Sequence, residues 1–451
     1  MSNGPAVLNP EPSTLEPIEG PDKSQKWVRK ILDTLFNPSA TTTAVAILTA
    51  LIIGALIVVV FDSDVQRTAG YLFAQPADFF SAVWNAFSSF FTSLIRGSIF
   101  DWRQSTVQGM FRPITETIVR ATPLIIAGLA IAVSFTAGLF NIGVQGQLIM
   151  GGLFAGFVGF YFDLPVGLHV LLAVVGALLG GAIYGFIPGF LKSRLGANEV
   201  IVTIMLNSIA TLFLAAMLNT KLFHGDGFPG KSRPIGSNSA YPLLAGTGFR
   251  LNFGIIVAIL ATIFVWWLID RSTFGFEIRA SGANQDAART AGMSVKNTIM
   301  WTLVISGALA GLAATGPVLG TEKALTAGMA GSLGFDAITV ALLGKSRPIG
   351  VFFAGLLFGA LNAGGALMQS SAGIPVDIVQ ITQAIIVLMI AASEAIRYMR
   401  ERRSIREATV SKVEHKDVSD GKTVIVDSDG VPVEVVAGVS NVDSSSKEGG
   451  R

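Results

Sequence analysis

The feature that most constrains this chain is a series of apolar runs, at 41–61 and at about 117–139, 148–162, 166–190, 200–219, 251–269, 298–319, 336–344, 350–368 and 377–396. Most reach the roughly 20 residues that an α-helix needs to cross about 30 Å of hydrocarbon. Backbone polar groups in lipid must be satisfied within the segment, so such runs fold as membrane-spanning helices. The expected fold is all-α: a polytopic membrane protein with about ten transmembrane helices. Of 451 residues, 51% are hydrophobic and 14% charged, against roughly 25% charged in ordinary soluble domains. Fifty glycines would weaken soluble helices, whereas between membrane helices they let backbones approach closely.

Residues 1–40 are rich in Pro, Ser, Glu and Asn and turn basic at Lys23, Lys26, Arg29 and Lys30, which reads as a disordered cytoplasmic tail. Segment 41–116 opens with the first span, which sits too deep in the chain for a signal peptide. Its remainder mixes Phe79, Phe80, Trp84, Phe87, Phe90 and Phe91 with scattered charges, the pattern of an extracytoplasmic amphipathic segment. Residues 117–396 are the transmembrane domain, with a polar loop at 271–297, and 397–451 read as a second disordered cytoplasmic tail.

Counting alternately from a cytoplasmic N-terminus places Lys192, Arg194, the 271–297 loop, Lys345, Arg347 and the stretch Arg397–Arg406 inside, as the positive-inside bias requires. The 220–250 loop is the exception, since it falls outside yet carries Lys221, Lys231, Arg233 and Arg250 against Asp226 alone. The run 336–344, flanked by Gly334 and Gly344, is short for a crossing and reads as half of a broken helix or a re-entrant turn. The stretches 117–219 and 298–396 hold similar numbers of spans, which predicts pseudo-symmetric halves around a central pathway.

Several function classes drop out on composition. Without cysteine there is no disulfide, zinc–thiolate site, iron–sulfur cluster or thiol nucleophile. His169, His224 and His415 have no metal-ligand spacing, so neither a metal nor another cofactor is expected. The net charge of +2 gathers in the termini and loops and does not support a nucleic-acid partner. The spans hold no His/Asp/Glu cluster and no nucleophile with a base, which argues against an intramembrane enzyme. Gly225–Ser232 matches the phosphate-loop pattern GxxxxGK[ST], but a span precedes it and Arg233-Pro234 follows, where the motif needs a strand and a helix.

The polar residues near the spans carry the functional reading. Phe140–Gln147 interrupts two apolar stretches with two glycines and three amides, either as unwound backbone presented to a solute or as a plain turn. Asn198 and Glu199 are placed to cap the 200–219 span. Asn207, Asn362, Gln380 and Gln383 lie within spans, and Asp377, Gln380 and Gln383 share a face by i, i+3 spacing. Amides suit uncharged ligands with mixed donors and acceptors, whereas an ion- or proton-coupled carrier would want more carboxylates; interhelical bonding is the competing role. Asn141, Gln145, Asn207 and Asn362 are the candidate pathway residues. Small-xxx-small spacings at Gly152/Gly156, Gly176/Gly180, Gly181/Gly185, Gly307/Gly311 and Gly355/Gly359 read as helix-packing grooves. In the loop 274–293 the second half predicts a short helix, with Ala287, Ala288 and Ala291 on one side and Gly292 at its end.

Glu277, Arg279, Gly282, Asn284, Ala287, Ala288 and Gly292 in that loop resemble the coupling segment of ATP-binding-cassette import permeases, in the branch that includes sugar, nucleoside and branched-chain amino-acid permeases. Gly138–Gln147, Gly196–Val200 with Thr203–Asn207, and Gly334–Ile338 with Ala341–Gly344 are similar to the same family, so the resemblance covers about 120–396. Phe140-Asn141-Ile142-Gly143 and Ala197-Asn198-Glu199-Val200 are closest in form to the nucleoside or simple-sugar members, although Gln145 stands where those often carry Glu. The resemblance implies a multi-pass permease in the plasma membrane of a prokaryote. It implies cytoplasmic ATPase subunits bound through the loop, a second permease subunit of a related but different chain, and an extracytoplasmic solute-binding protein. It implies nucleoside uptake driven by ATP hydrolysis in the partner. Ribose or another simple sugar is the alternative cargo, and a stand-alone secondary carrier the alternative mechanism.

Overall fold

The computed structural model describes residues 38–225, 230–246, 248–372, 375, 377–389, 392, 425–426 and 432–433. The tails expected at 1–40 and 397–451 lie outside these residues, apart from Pro38–Ala40, which are helical, and two short strands, β1 (Ile425–Val426) and β2 (Pro432–Val433), paired antiparallel. The helices are α1 (Pro38–Phe61), α2 (Ser63–Ala69), α3 (Pro76–Ser98), α4 (Val107–Thr136), α5 (Val144–Tyr161), α6 (Leu168–Leu195), α7 (Glu199–Leu218), α8 (Gly254–Arg271), α9 (Thr273–Ala283), α10 (Gln285–Thr290), α11 (Val295–Ala313), α12 (Leu333–Leu343), α13 (Pro348–Ala372) and α14 (Asp377–Met389). Among the described residues eight are long and apolar enough to cross a membrane: α1, α4 to α8, α11 with its π-helical extension Gly316–Thr321, and α13. The expected all-α membrane architecture is therefore observed.

Helix α4 is the axis of the packing, with every residue from Ala121 to Ser134 buried. It begins at Val107, ten residues before the apolar run, because Thr106 caps it by accepting a hydrogen bond from the Gly109 amide at 3.1 Å. Arg112 and Glu116 hide these opening turns from a reading of apolar runs. The aromatic segment upstream is largely helix α3, docked on α13 where a Cβ on Gly97 would lie 2.8 Å from the Gly364 Cα. Its end is pinned by the buried pair Arg96–Asp101 at 2.7 Å. Burial alone would raise the Asp101 carboxyl, but hydrogen bonds from Arg96, Gln104 and the Arg103 amide, with the Arg96 charge, hold it below the ordinary carboxylate value.

Glycine sets the closest crossing. A methyl group on Gly181 would strike the Gly307 carbonyl and lie 2.8 Å from the Gly311 Cα, and one on Gly151 would strike Gly311 itself. Helices α5, α6 and α11 thus meet backbone to backbone, which any side chain at Gly311 would wedge apart.

After the π-helical turn the chain does not climb back through the membrane as a full helix. Residues 322–332 run beside α5: Leu325 lies against Gly156, Met329 against Gly152, and Gly334 against Gln145. Between Gly156 and Gln145 lie about 16 Å of α5. The apolar run at 336–344 is hence the helical half of a broken crossing, α12, preceded by non-helical backbone.

The 221–253 segment supplies that backbone with partners. Ser232 N donates to Leu325 O (2.9 Å), Ile235 N to Lys323 O (2.9 Å) and Ala327 N to Gly230 O (3.1 Å), while Leu325 N donates to the Ser232 hydroxyl (2.8 Å). Gly236 N and the Ser239 hydroxyl both donate to Gly159 O at the far end of α5. Within the phosphate-loop-like motif, α7 rather than a strand stands upstream, and Ser232 is occupied in pairing backbone; residues 226–229 lie outside the described residues.

Replacing Gly311 by Ala is expected to destabilise the folded chain by about 1–3 kcal/mol through overpacking. Gly328→Ala, where an added Cβ meets nothing within 4 Å, should stay within about 0.5 kcal/mol. Thermal unfolding of both variants in detergent checks the contrast.

Candidate functional site

Two features of the chain converge on the end of α4. The first is the break between α4 and α5, where Gly138 adopts φ +70° and lets the chain reverse. The released backbone is held by Asn141, only 1% exposed. Its Nδ2 donates to Gln147 Oε1 (3.0 Å) and to the Ser306 hydroxyl (2.9 Å), and its Oδ1 accepts from the Gly143 amide (3.0 Å). Ser306, on α11, in turn donates its hydroxyl hydrogen bond to the Ala130 carbonyl of α4 at 2.6 Å. Asn207, on α7, accepts from the Gly146 amide (2.8 Å) and donates to the Ile142 carbonyl (2.9 Å). Four helices are thereby tied to one unwound stretch.

This arrangement separates the four candidate pathway residues. Asn141 and Asn207 are brought together, and both amides are bonded to the backbone of the break. Asn362 sits elsewhere, on α13, where its Oδ1 accepts from Gln383 Nε2 of α14 at 3.0 Å. Gln145, in the first turn of α5, is half-buried, and no hydrogen bond joins its amide to any described residue. The face predicted for Asp377, Gln380 and Gln383 divides, since Gln383 is buried and the other two are exposed. At the start of α7, Asn198 caps the helix through the Val200 and Ile201 amides, and Glu199 pairs with Lys192 at 2.8 Å.

Asp336 opens the apolar run 336–344. It lies in the first turn of α12, two residues after the glycine that touches Gln145. Its side chain accepts from the Ser332 hydroxyl at 2.7 Å. The signal available in the sequence was a carboxylate inside an apolar run, which hydrocarbon penalises unless it faces protein or water.

The second feature is the polar loop, folded into α9 and α10. Ser272 caps α9 through the Gly275 amide (2.8 Å), and Asn284 caps α10 through the Asp286 and Ala287 amides (2.9 and 3.0 Å). Gly292 ends the pair in the left-handed region at φ +84°, with Met293 N donating to Ala288 O at 3.1 Å. Glu277 accepts from the Thr298 hydroxyl of α11 at 3.0 Å and so ties the loop to the bundle. The three alanines do not share a side: Ala288 is 3% exposed, while Ala287 and Ala291 face outward with Arg279 and Arg289. The helical period allowed one common face, but the turn of α10 against α11 buries Ala288 alone.

Gly282 joins the two features. A Cβ there would strike the Thr136 carbonyl and lie 3.0 Å from the Ala137 carbonyl carbon, and one on Gly138 would lie 3.4 Å from the Gly282 Cα. The loop therefore bears on the chain three residues before Asn141.

Residues 114–393 match the family described as branched-chain amino acid transport system / permease component. The chain is 42% identical over 357 residues to a guanosine ABC transporter permease protein of Bacillus subtilis, covering 79% of this chain and 94% of the relative. It is 34% identical over 316 residues to a nucleoside ABC transporter permease protein of Lactococcus lactis, covering 67% and 86%. It is 31% identical over 297 residues to a glucose ABC transporter permease protein of Haloferax volcanii, covering 64% and 78%. No solved structure matches the chain.

Asn141→Ala strands the Gly143 amide and the Gln147 and Ser306 side chains in a buried site, and is expected to destabilise by about 1–3 kcal/mol. Gln145→Ala breaks no bond and should change stability by about 0.5 kcal/mol or less. Denaturant or thermal unfolding of the two variants side by side measures the difference.

Proposed function

This chain belongs to the branched-chain amino acid transport system permease family, and from that premise we propose that it forms the membrane pathway for nucleoside uptake in an ATP-binding-cassette importer. It is a multi-pass protein of the cell membrane. The observation that carries the mechanism is the seating of Gly282 against Thr136–Gly138. A partner that moves the α9–α10 pair pushes on the break between α4 and α5, and the Asn141 and Asn207 bonds pass that displacement to α5, α7 and α11 as one body. Alternating access then amounts to rigid helices shifting about a braced break.

The partners follow from the same layout. Cytoplasmic ATPase subunits grip the outward surface of Arg279, Ala287 and Arg289, and hydrolysis of ATP falls to them. A second, related permease chain completes the pathway, and an extracytoplasmic binding protein delivers solute to the 221–253 segment, whose bonds to 323–327 reach the unwound backbone beside α5. Nucleosides are favoured by the 42% identity to the guanosine permease. The glucose relative keeps a simple sugar as the second reading. Guanosine and glucose are both uncharged and both carry a hydroxylated ring, which suits a pathway offering few charges and the Gln145 amide, free among the described residues.

Uptake of radiolabelled guanosine, uridine and ribose by cells with and without this gene is expected to show loss of nucleoside uptake alone. Loss of ribose uptake alone would move the cargo to sugars. Ala287→Glu, on the exposed side of α10, should leave the chain folded in the membrane and lower ATP-driven uptake at least about tenfold, equivalent to roughly 1.4 kcal/mol of lost coupling. Normal uptake by that variant in vesicles would detach the loop from ATPase coupling.

A further inference from the structure

We infer that Asp336 is the specificity-determining residue of the pathway, its unpaired carboxylate at the start of the half-helix α12 reading a vicinal diol, the 2′ and 3′ hydroxyls of a ribose. The inference rests on the nucleoside reading above and adds the part of the solute that is recognised.

Three observations carry it. Asp336 lies at membrane depth, because the stretch leading to it runs beside the crossing helix α5 from Gly156 through Gly152 to Gln145. It has no cation: none of the ion pairs among the described residues includes it, and its side-chain bond is the one from Ser332. It is half-buried and so not sealed from its surroundings, next to Phe335, which is 57% exposed. A carboxylate so placed faces lipid or a water-filled cavity, and lipid is the arrangement membrane proteins avoid.

The chemistry of the group then selects the ligand. An ionised carboxylate only accepts hydrogen bonds, at about four lone-pair positions, and Ser332 fills one. The partner must therefore bring donors. Two adjacent hydroxyls match the two oxygens, and bonds to a charged acceptor are stronger than neutral ones. The other intramembrane amides near the break, Asn141, Gln147 and Asn207, are each hydrogen-bonded to protein.

Capping of α12 is the role that must be told apart from recognition. Asp336→Asn separates them, since its amide oxygen still accepts from Ser332 while the charge is gone. The test reconstitutes the full chain with its ATPase and binding protein in vesicles and measures uptake of guanosine and of 2′,3′-dideoxyguanosine on the same sample. Taking the ratio cancels losses of insertion or folding, and the binding protein contributes equally to wild type and variant. Wild type should prefer guanosine, and Asp336→Asn should reduce that preference about tenfold. Ser332→Ala, which removes the hydroxyl that bonds Asp336 and keeps the carboxylate, should retain it. Equal loss of both solutes in Asp336→Asn, an unchanged ratio, or no preference in wild type overturns the inference. If the vesicles take up ribose and no nucleoside, the cargo reading fails separately. The same variants are then compared on ribose and 2-deoxyribose, where a collapsed ratio supports Asp336 and an unchanged one overturns it.

Discussion

Backbone amides and carbonyls find no water in hydrocarbon, so a helix can be interrupted inside a membrane only where other protein groups take up the freed donors and acceptors. This chain does so twice. Between α4 and α5, Asn141 and Asn207 take the Gly143 and Gly146 amides and the Ile142 carbonyl. Before α12, the 221–253 segment takes up backbone groups of Lys323, Leu325 and Ala327, and the Ser232 hydroxyl fills the Leu325 amide. A buried amide left unpaired costs about 1–3 kcal/mol, so these side chains are structural before they are anything else.

Bracing of this kind turns a break into a usable joint. A plain loop between α4 and α5 would absorb a push from the polar loop below it. Here the stretch is bonded to α4, α5, α7 and α11 within seven residues, so a displacement at Gly138 moves helices rather than deforming a loop. The glycine crossings work in the same direction. With no side chains between them, α5, α6 and α11 are in backbone contact around Gly311, and small shifts of one are carried to the others. Gly282 completes the chain of contacts, because only a residue without a Cβ fits against the Thr136 carbonyl.

Much of this was legible in the sequence, and the reasons are local. Whether a run crosses a membrane depends on its own length and hydropathy, so α1, α5, α7, α8 and α13 lie where their apolar runs placed them. The caps at Asn198 and Asn284 depend on residues two or three positions away. The short run at 336–344 is open, as sequence, between half a broken helix and a re-entrant turn. Where a helix carries charges in its outer turns, as α4 does at Arg112 and Glu116, the apolar run stops short of the helix. That reading therefore placed the start of α4 about ten residues late.

The sequence by itself determined that this is a polytopic helical membrane protein with a permease-like polar loop, because hydrophobic length, helix caps and glycine turns are set by neighbouring residues. Which polar side chains are already bonded to distant parts of the chain came only with the tertiary structure. Asn141 and Gln145 lie four positions apart and look alike as letters. Asn141 is occupied by Ser306, 165 positions away, while Gln145 has no hydrogen-bond partner among the described residues, and no local pattern contains that difference. Hydrogen bonds saturate, so a polar residue's role in a membrane depends on whether some distant part of the chain has already taken its donors and acceptors.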